Sequence, residues 1–354
     1  MKVTIQSVAD RAEVSIGTVS RVLNRDPSVS HDLSRRVQES IEELGYRPLR
    51  KKKRPHDRDS GLAGKTIGLL TLGMDRSLSR LPVVTAAIDG IREAATEAGA
   101  NLQLYDAPNP GALPDWIKRA RCDGWLIKGA MQGNAWKVAH ESLRELLSAS
   151  PCVWFHGHPR GAPGWSVGGN DWDAGVLAAT HLHEAGHRHV AFLSPKNNHA
   201  LLKRRQHGFV AACEEWGITC EVASENLQDW TFPLERPKSL EAVRSLLEKL
   251  LKSKQRPTAI FVPADSIAVM LYHALAELGL RIPEDISVIS VNREEGLIAG
   301  LFPSLTTIDI RSEEIGREAV QQIQRLLQAQ ETVPRQDLQI EPQLIPGDSV
   351  QMMA

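Results

Sequence analysis

From Thr66 onward, short apolar runs alternate with amphipathic stretches of helical length, and this alternation limits the fold more than any other feature. The run T-I-G-L-L-T-L at 66–72 has the length and character of a buried strand. Residues 83–98 then carry apolar positions at helical spacing and stop at Gly99. Further strands are expected at 101–105, 124–128, 151–155, 189–193, 220–223, 259–262 and 286–291. Helices are expected at 134–148, 174–185, 204–216, 239–253, 266–278 and 313–328. Strands alternating with helices of roughly 10–15 residues build parallel sheets covered on both faces. About 280 residues of this pattern exceed one comfortable core, so two lobes are expected.

The first 48 residues follow a different rule. Thr4 can cap a helix whose Ile5, Val8, Ala9 and Ala12 share one face. Glu13-Val14 makes a tight connection, and Ser15 caps a second helix with Val19, Val22 and Leu23 turned inward. Ser30 can cap a third, where Asp32 suits the helix dipole and Leu33, Val37, Ile41 and Leu44 form the buried face. Gly45 fits a left-handed cap, and Pro48 ends the helical run. Helix, tight turn and a second helix opening on small polar residues make a DNA-reading unit, whose second helix enters the major groove. The hydroxyls of Ser15, Thr18 and Ser20 suit phosphates and base edges, and Arg21 is the one long donor among them.

Charge supports that division. The net charge is −1, yet residues 1–58 hold 13 Lys/Arg against 8 Asp/Glu. A basic head on an acidic body places nucleic acid at the head. Residues 49–65 read as a linker with the basic run Arg50-Lys51-Lys52-Lys53-Arg54, expected to be mobile and to bind phosphates by charge. No apolar run reaches membrane length and no secretory signal is evident, so no membrane partner is expected. Four scattered cysteines without C-x-x-C indicate a reducing cytoplasm, where the chain would associate with the nucleoid.

Val3-Thr4-Ile5-Gln6-Ser7-Val8-Ala9, Val14-Ser15-Ile16-Gly17-Thr18-Val19-Ser20-Arg21-Val22-Leu23-Asn24 and Leu44-Gly45-Tyr46-Arg47-Pro48 closely resemble the head of the lactose-repressor/galactose-repressor (LacI/GalR) family of bacterial transcription regulators. The resemblance runs on through Leu182 with Gly186-His187, Arg205 with Gly208-Phe209, and Pro257-Thr258-Ala259-Ile260-Phe261 leading to Asp265. It also covers Ile282-Pro283-Glu284-Asp285-Ile286-Ser287-Val288 and Pro303-Ser304-Leu305-Thr306-Thr307-Ile308.

The resemblance implies an α/β protein: a three-helix helix-turn-helix head over 1–48, a hinge over 49–65 and a two-lobed, periplasmic-binding-protein-like core over 66–350. Lobe 1 would hold about 66–159 and 309–330, lobe 2 about 160–308 and 331–350. It implies a dimer or tetramer on near-palindromic double-stranded operator DNA, and the lack of a leucine-heptad tail favours the homodimer. A sugar-like effector in the interlobe cleft would alter operator affinity, and the chain would be a repressor. DNA contacts carry over to Thr4, Ser15, Ile16, Gly17, Thr18, Ser20, Arg21, Asn24 and Tyr46, joined by Arg50, Lys51 and Lys52 of the hinge. Ile16 and Gly17 hold the two chief base-reading positions without a hydrogen-bonding side chain, which leaves Arg21 as the polar reader. The family's hinge-helix pattern A-x-x-L is absent, which argues against a leucine wedge in the minor groove.

Effector contacts carry over to Arg205, Trp230, Asp265, Asn292 and Arg293, with Asp171 beside them. Asn292 replaces an aspartate, and Arg293 adds a cation, which opens the cleft to an anionic ligand. Each assignment has a plainer counterpart. Arg21 as a surface ion-pair residue, Arg205 as a structural tie and Trp230 as a packing residue are the alternatives. His156-Gly157-His158 and the set His181, His183, His187, His189 look metal-like. They lack a third ligand or a carboxylate in register, so no metal and no cofactor is expected. An enzyme with an accessory DNA head is the rival function. It lacks G-x-x-x-x-G-K-[ST], G-x-S-x-G and G-x-G-x-x-G. A solute-binding protein would not carry the head.

Overall fold

A computed structural model describes residues 4–23, 31–44, 61–196, 199–225, 240–329 and 333–353. The chain divides into two compact units, Met1–Asp59 and Ser60–Ala354.

The first unit contains α1 (Ile5–Ala12), α2 (Ile16–Leu23) and α3 (His31–Leu44). Thr4 caps α1 in a capping box with Ser7, which satisfies two amides that the helix start would leave open. Glu13 takes the left-handed conformation that turns the chain from α1 towards α2. Val8, Ala9, Ala12, Val19, Val22 and Val37 form the small core. Arg36 donates to the Ala12 carbonyl at 2.8 Å, and Arg11 pairs with Glu43 at 2.7 Å, so both rim cations tie α1 to α3.

The second unit has two lobes, each built on a six-stranded sheet. In lobe 1 the sheet contains β1 (Thr66–Leu72), β2 (Asn101–Ala107), β3 (Gly124–Gly129), β4 (Cys152–Phe155), β5 (Trp165–Gly169) and β11 (Asp337–Ile340). Its order is β11-β5-β4-β3-β1-β2, and every pair is parallel. Lobe 2 contains β6 (His189–Ser194), β7 (Thr219–Ser224), β8 (Ala259–Phe261), β9 (Ser287–Val291), β10 (Thr306–Asp309) and β12 (Gln343–Ile345). The order is β12-β10-β9-β8-β6-β7, with β12 antiparallel to β10.

Alternation sorts side chains to the two faces of each sheet. In lobe 1, Ile67, Leu69, Leu126, Val153 and Phe155 face α5 (Pro82–Glu97) and α12 (Ser312–Gln328). Leu70, Leu72, Trp125, Ile127 and Trp154 face the other way, towards Trp136 and α6 (Glu141–Ser148). In lobe 2, α7 (Asp171–Glu184) and α8 (Ala200–Glu215) cover one face, while α9 (Leu240–Leu251) and α10 (Asp265–Glu277) cover the other; two short helices, α4 (Arg76–Ser79) and α11 (Glu295–Ile298), complete the second unit's helices among the described residues. The tryptophans Trp125, Trp136, Trp154 and Trp165 are thereby core residues of lobe 1.

Three expectations need correction. The helix expected at 134–148 is only α6, because Gly133 and Asn134 take positive φ and residues 131–138 form turns. Buried Trp136 and Ala139 in those turns had supplied the apolar spacing. The linker expected to run to 65 ends earlier: Leu62 is fully buried in the lobe 1 core. The lobe boundaries also move. Residues 165–169 and 337–340 pair within the lobe 1 sheet as β5 and β11, not in lobe 2. The chain therefore crosses between lobes near Asn170, near Ile310 and near Glu341.

Helix pairs in both lobes approach to backbone contact through glycine. A Cβ on Gly208 of α8 would lie 2.0 Å from the Trp172 carbonyl oxygen of α7, and one on Gly175 would lie 2.1 Å from the Arg205 carbonyl oxygen. Gly90 and Gly316 do the same between α5 and α12, each with a backbone oxygen 2.0 Å from the missing Cβ. Backbone cannot swing aside as a side chain can, so one methyl must part the helices. Gly208→Ala is expected to lower thermal stability by about 5 °C or more, the scale of a 1–3 kcal/mol overpacking penalty. A scanning-calorimetry Tm equal to that of the parent protein would contradict this packing.

Candidate functional site: a DNA-reading helix and an interlobe cleft

The start of α2 is built from the backbone outward. Ser15 Oγ accepts the Thr18 amide at 3.1 Å, and the two hydroxyls bond each other at 3.0 Å. Two of the three hydroxyls expected to reach DNA, those of Ser15 and Thr18, are thus engaged in holding the first turn. What that turn leaves open is the Ile16 side chain, 44% exposed, and the backbone at Gly17. A Cβ at Gly17 would meet only Ser15 Oγ, at an ordinary 3.6 Å. The protein's own packing therefore does not demand glycine there. Ser20 and Arg21 fall on α2, with their side chains outside the described residues. Asn24, Tyr46, Arg50, Lys51 and Lys52 also lie outside them, as do Ser30, Gly45 and Pro48.

The cleft lies within the second unit, at the carboxyl ends of strands from both lobes, where open parallel sheets bind their ligands. Its inner cavity has a volume of about 130 Å³. Lobe 1 contributes Lys128 from the end of β3 and His156 after β4; lobe 2 contributes Arg205 of α8 and Asn292 after β9.

Arg205 is the centre of a buried knot. Its Nε donates to Asp171 Oδ1 at 2.7 Å, and its Nη1 donates to the Pro263 carbonyl at 2.6 Å and to Asn292 Oδ1 at 2.9 Å. Arg205 is 3% exposed and Asp171 5%. Burial pushes the Asp171 carboxyl up, while the adjacent guanidinium opposes that shift. A guanidinium has five N–H donors, so Nη2 keeps two beyond these three bonds. The structural tie and the ligand contact are thus compatible in one side chain. Asn170 caps α7 by accepting the Asp173 amide at 3.2 Å, which fixes Asp171 at the first turn.

Asn292 and Arg293 both take positive φ, 121° and 56°. Non-glycine residues there carry strain of order 1–3 kcal/mol each, held by their surroundings. The Asn292 amide donates to the Ile308 carbonyl at 2.8 Å. This turn sends Asn292 into the cleft and Arg293 away from its inner cavity. Arg293 instead pairs with Glu295 at 3.0 Å and Asp309 at 3.2 Å, at the edge of a separate cavity. The expectation that Arg293 makes the cleft cationic is therefore overturned.

Asp265 is also displaced from its expected role. It is fully buried; its carboxylate accepts from the Ser290 hydroxyl, from Thr307 Oγ1 at 2.8 Å and from the Glu294 amide at 2.6 Å. Burial pushes its pKa up to about 6 against those three bonds. Asp265 braces the turn after β9 from behind. Trp230 lies outside the described residues.

Sequence reasoning missed Lys128. This lysine is 7% exposed, at the end of an otherwise apolar strand, and that combination was its one signal. Its Nζ donates to the carbonyls of Gly129 at 2.8 Å and His156 at 3.3 Å. Burial lowers its pKa to about 8, with Asp171 acting in the opposite sense. His156 is held neutral, lowered to about 3 by burial and then by Lys128 and Arg205. Three of the other histidines have structural partners. His187 Nδ1 bonds Thr258 Oγ1 at 2.8 Å, His158 bonds Arg335 at 3.0 Å and His183 packs on Trp216. Among the described residues, no three of His, Cys, Asp and Glu gather as a metal site.

Asp171→Ala leaves Arg205 buried without its counter-charge. It is expected to cost about 3–5 kcal/mol in denaturant unfolding. A loss below about 1 kcal/mol would mean that the guanidinium is solvated after all. Lys128 gives a pH signature. The unfolded lysine keeps its proton to near the ordinary value while the folded one loses it near 8. Between those limits the unfolded state binds more protons, so stability rises with pH. The parent protein should gain stability relative to Lys128→Met from pH 8 to 10, and parallel curves would refute the assignment.

Comparison with known proteins bears on both units of the chain. Residues 4–48 match the lacI family of bacterial regulatory proteins, and residues 179–350 match the periplasmic binding protein-like domain. The chain is 30% identical over 356 residues to the HTH-type transcriptional repressor PurR of Edwardsiella ictaluri, covering 98% of this chain and 96% of that one. It is 28% identical over 356 residues to the ribose operon repressor of Escherichia coli, covering 97% and 98%. Among solved structures, a transcriptional regulator in complex with cellobiose superposes at a TM-score of 0.64 with 22% identity, covering 98% of this chain and 100% of that one. The lac repressor dimer bound to operator superposes at 0.63 with 22% identity, covering 99% and 100%. Identity at this level speaks for the fold. In the described residues no helix is long and apolar enough to cross a membrane. The chain belongs to the lacI family of bacterial regulatory proteins: it is a DNA-binding transcription regulator with a helix-turn-helix head and an effector-binding, periplasmic-binding-protein-like core.

Proposed function

We propose that this regulator is a cytoplasmic homodimeric repressor of a near-palindromic operator, and that a small polyol-like effector closing the interlobe cleft sets its DNA affinity. The observation that carries this reading is the Arg205 knot. One guanidinium joins α7, the end of β8 and the turn after β9, while Lys128 and His156 line the same cavity from the other lobe. A ligand that bonds both sides binds one lobe arrangement better than another, and only such a difference can shift an equilibrium. The coupling is reciprocal, so an effector that loosens DNA is itself bound more weakly by the DNA-bound form. The relatives named as repressors and the neighbours solved with sugars support both halves of the reading.

At the head, α2 reads the major groove with Ile16 on a thymine methyl, Gly17 allowing close approach and Arg21 as the polar reader. Arg50, Lys51 and Lys52 add phosphate contacts. Each neutralised phosphate adds about 0.9 to the magnitude of the log–log salt slope. Footprinting of genomic fragments across a salt series is the test. Protection of one short two-fold-symmetric site is expected, with Arg21→Ala weakening it by about tenfold to a hundredfold, the worth of one good base contact. Diffuse protection unaffected by Arg21→Ala would overturn the sequence-reading role.

A further inference from the structure

The interlobe cleft continues outward past Arg205. Beyond the inner cavity lies an outer compartment of about 540 Å³, and Arg205, His156 and Ile310 line both. Lobe 1 gives it Arg160, from the loop after β4, and Arg335, just ahead of β11. Lobe 2 gives it Lys203 and Arg204 of α8. All four residues are exposed.

These cations have little to answer them. The side chains of Arg160, Lys203 and Arg204 make no hydrogen bond or ion pair among the described residues. Arg335 donates to His158 Nδ1 at 3.0 Å, a ring that burial turns towards its neutral form. Two carboxylates line the compartment among the described residues, Asp171 and Asp337. Asp171 is bonded to Arg205, with Arg204 acting on it only through space, and Asp337 accepts from Ser166 Oγ at 2.6 Å. With the Arg205–Asp171 pair set aside, Arg160, Lys203, Arg204 and Arg335 face Asp337 alone. On a convex surface water would answer such charges. Here they converge on a concave wall made by both lobes, where like charges focus their field.

Two further observations point to a ligand. Helix α8 starts at this wall, capped by His199 without a side-chain bond. The amides of Ala200, Leu201 and Leu202 have no acceptor among the described residues, and open amides at a helix start favour an anion. Arg205 is 3% exposed, and its Nη2 makes none of the three bonds of the knot. A buried donor is thereby left open where the two compartments meet.

We propose that the outer compartment seats the phosphoryl group of a phosphorylated sugar, held by the first turn of α8 and by Arg160, Lys203 and Arg204, while the sugar hydroxyls reach past Arg205 into the inner cavity. This rests on the effector-sensing reading above and names its ligand class. A phosphate monoester brings about −1.5 to −2 of charge and three strong acceptor oxygens, which suit a surplus of this size and the fork of an arginine. Because its seat is drawn from both lobes, the phosphoryl group favours the lobe arrangement that assembles it.

The test uses the full chain in chloride at constant ionic strength. The probes are inorganic phosphate, citrate, and two matched pairs: glucose 6-phosphate with glucose, and ribose 5-phosphate with ribose. Thermal shift reads binding, and operator footprinting reads the response. Phosphate should raise the Tm saturably and by more than citrate. At least one ester should bind tenfold or more tighter than both phosphate and its parent sugar. Lys203→Gln combined with Arg204→Gln, at exposed positions, should weaken that ester tenfold or more. Lys249→Gln with Lys252→Gln removes the same charge from exposed positions outside the cleft and should leave ester binding unchanged. Phosphate that fails to bind, or that binds parent and Lys203/Arg204 variant alike, would overturn the outer site. Phosphate bound with no ester tighter than it would overturn the two-part ligand, and a preference for citrate would overturn the phosphoryl class. Neutral sugars that bind and change operator protection, with every phosphate compound inert, would overturn this inference and leave effector sensing intact. An ester that seats as described but leaves operator protection unchanged would uphold the site and fail the effector reading.

Discussion

A guanidinium removed from water has to be answered by the protein around it, and Arg205 is answered from three directions at once. Its partners come from the start of α7, from the chain leaving β8 and from the strained turn after β9. None of these is near it in sequence. The knot exists because α7 and α8 touch backbone to backbone at Gly175 and Gly208, which lets a short aspartate reach the arginine. Behind it, Asp265 holds the same turn through hydroxyls of β9 and β10. The motif R-x-x-G-F thus joins two linked requirements: the arginine that carries the chemistry and the glycine that brings its partner within reach.

Much of this was legible. The strand at 66–72 was readable to the residue, since a parallel strand covered on both faces must be apolar throughout. The edge strands were not. D-L-Q-I and Q-L-I are half exposed, and each pairs with a partner far away in sequence. Placing them is what assigns segments to lobes, so the boundaries erred with them. The cleft was legible in its residue types but not in their aim. Nothing in the letters Asn292-Arg293 says that two positive φ angles send one side chain inward and its neighbour out. Lys128 shows the converse: its surroundings were apolar, so the strand pattern absorbed it.

The head makes a related point about hydroxyls. Ser15 and Thr18 have the right chemistry for phosphate, yet their first duty is to each other and to an open amide. Polar groups at a helix start are committed to the backbone before they are available to a partner. Among the described residues of that turn, Ile16 and Gly17 are exposed and lack hydrogen-bonding side chains.

The three crossings between lobes bear on how the chain is made. Lobe 1 lacks one edge of its sheet until β11 is added, and lobe 2 lacks one edge until β12 is added, only a few residues later. Neither lobe is a continuous stretch of chain. During synthesis the ribosome must release almost the whole core before either sheet can close. The head, by contrast, consists of local helix contacts and emerges first. In a nascent chain of this protein the part that binds DNA is therefore complete long before either sheet of the part that governs it.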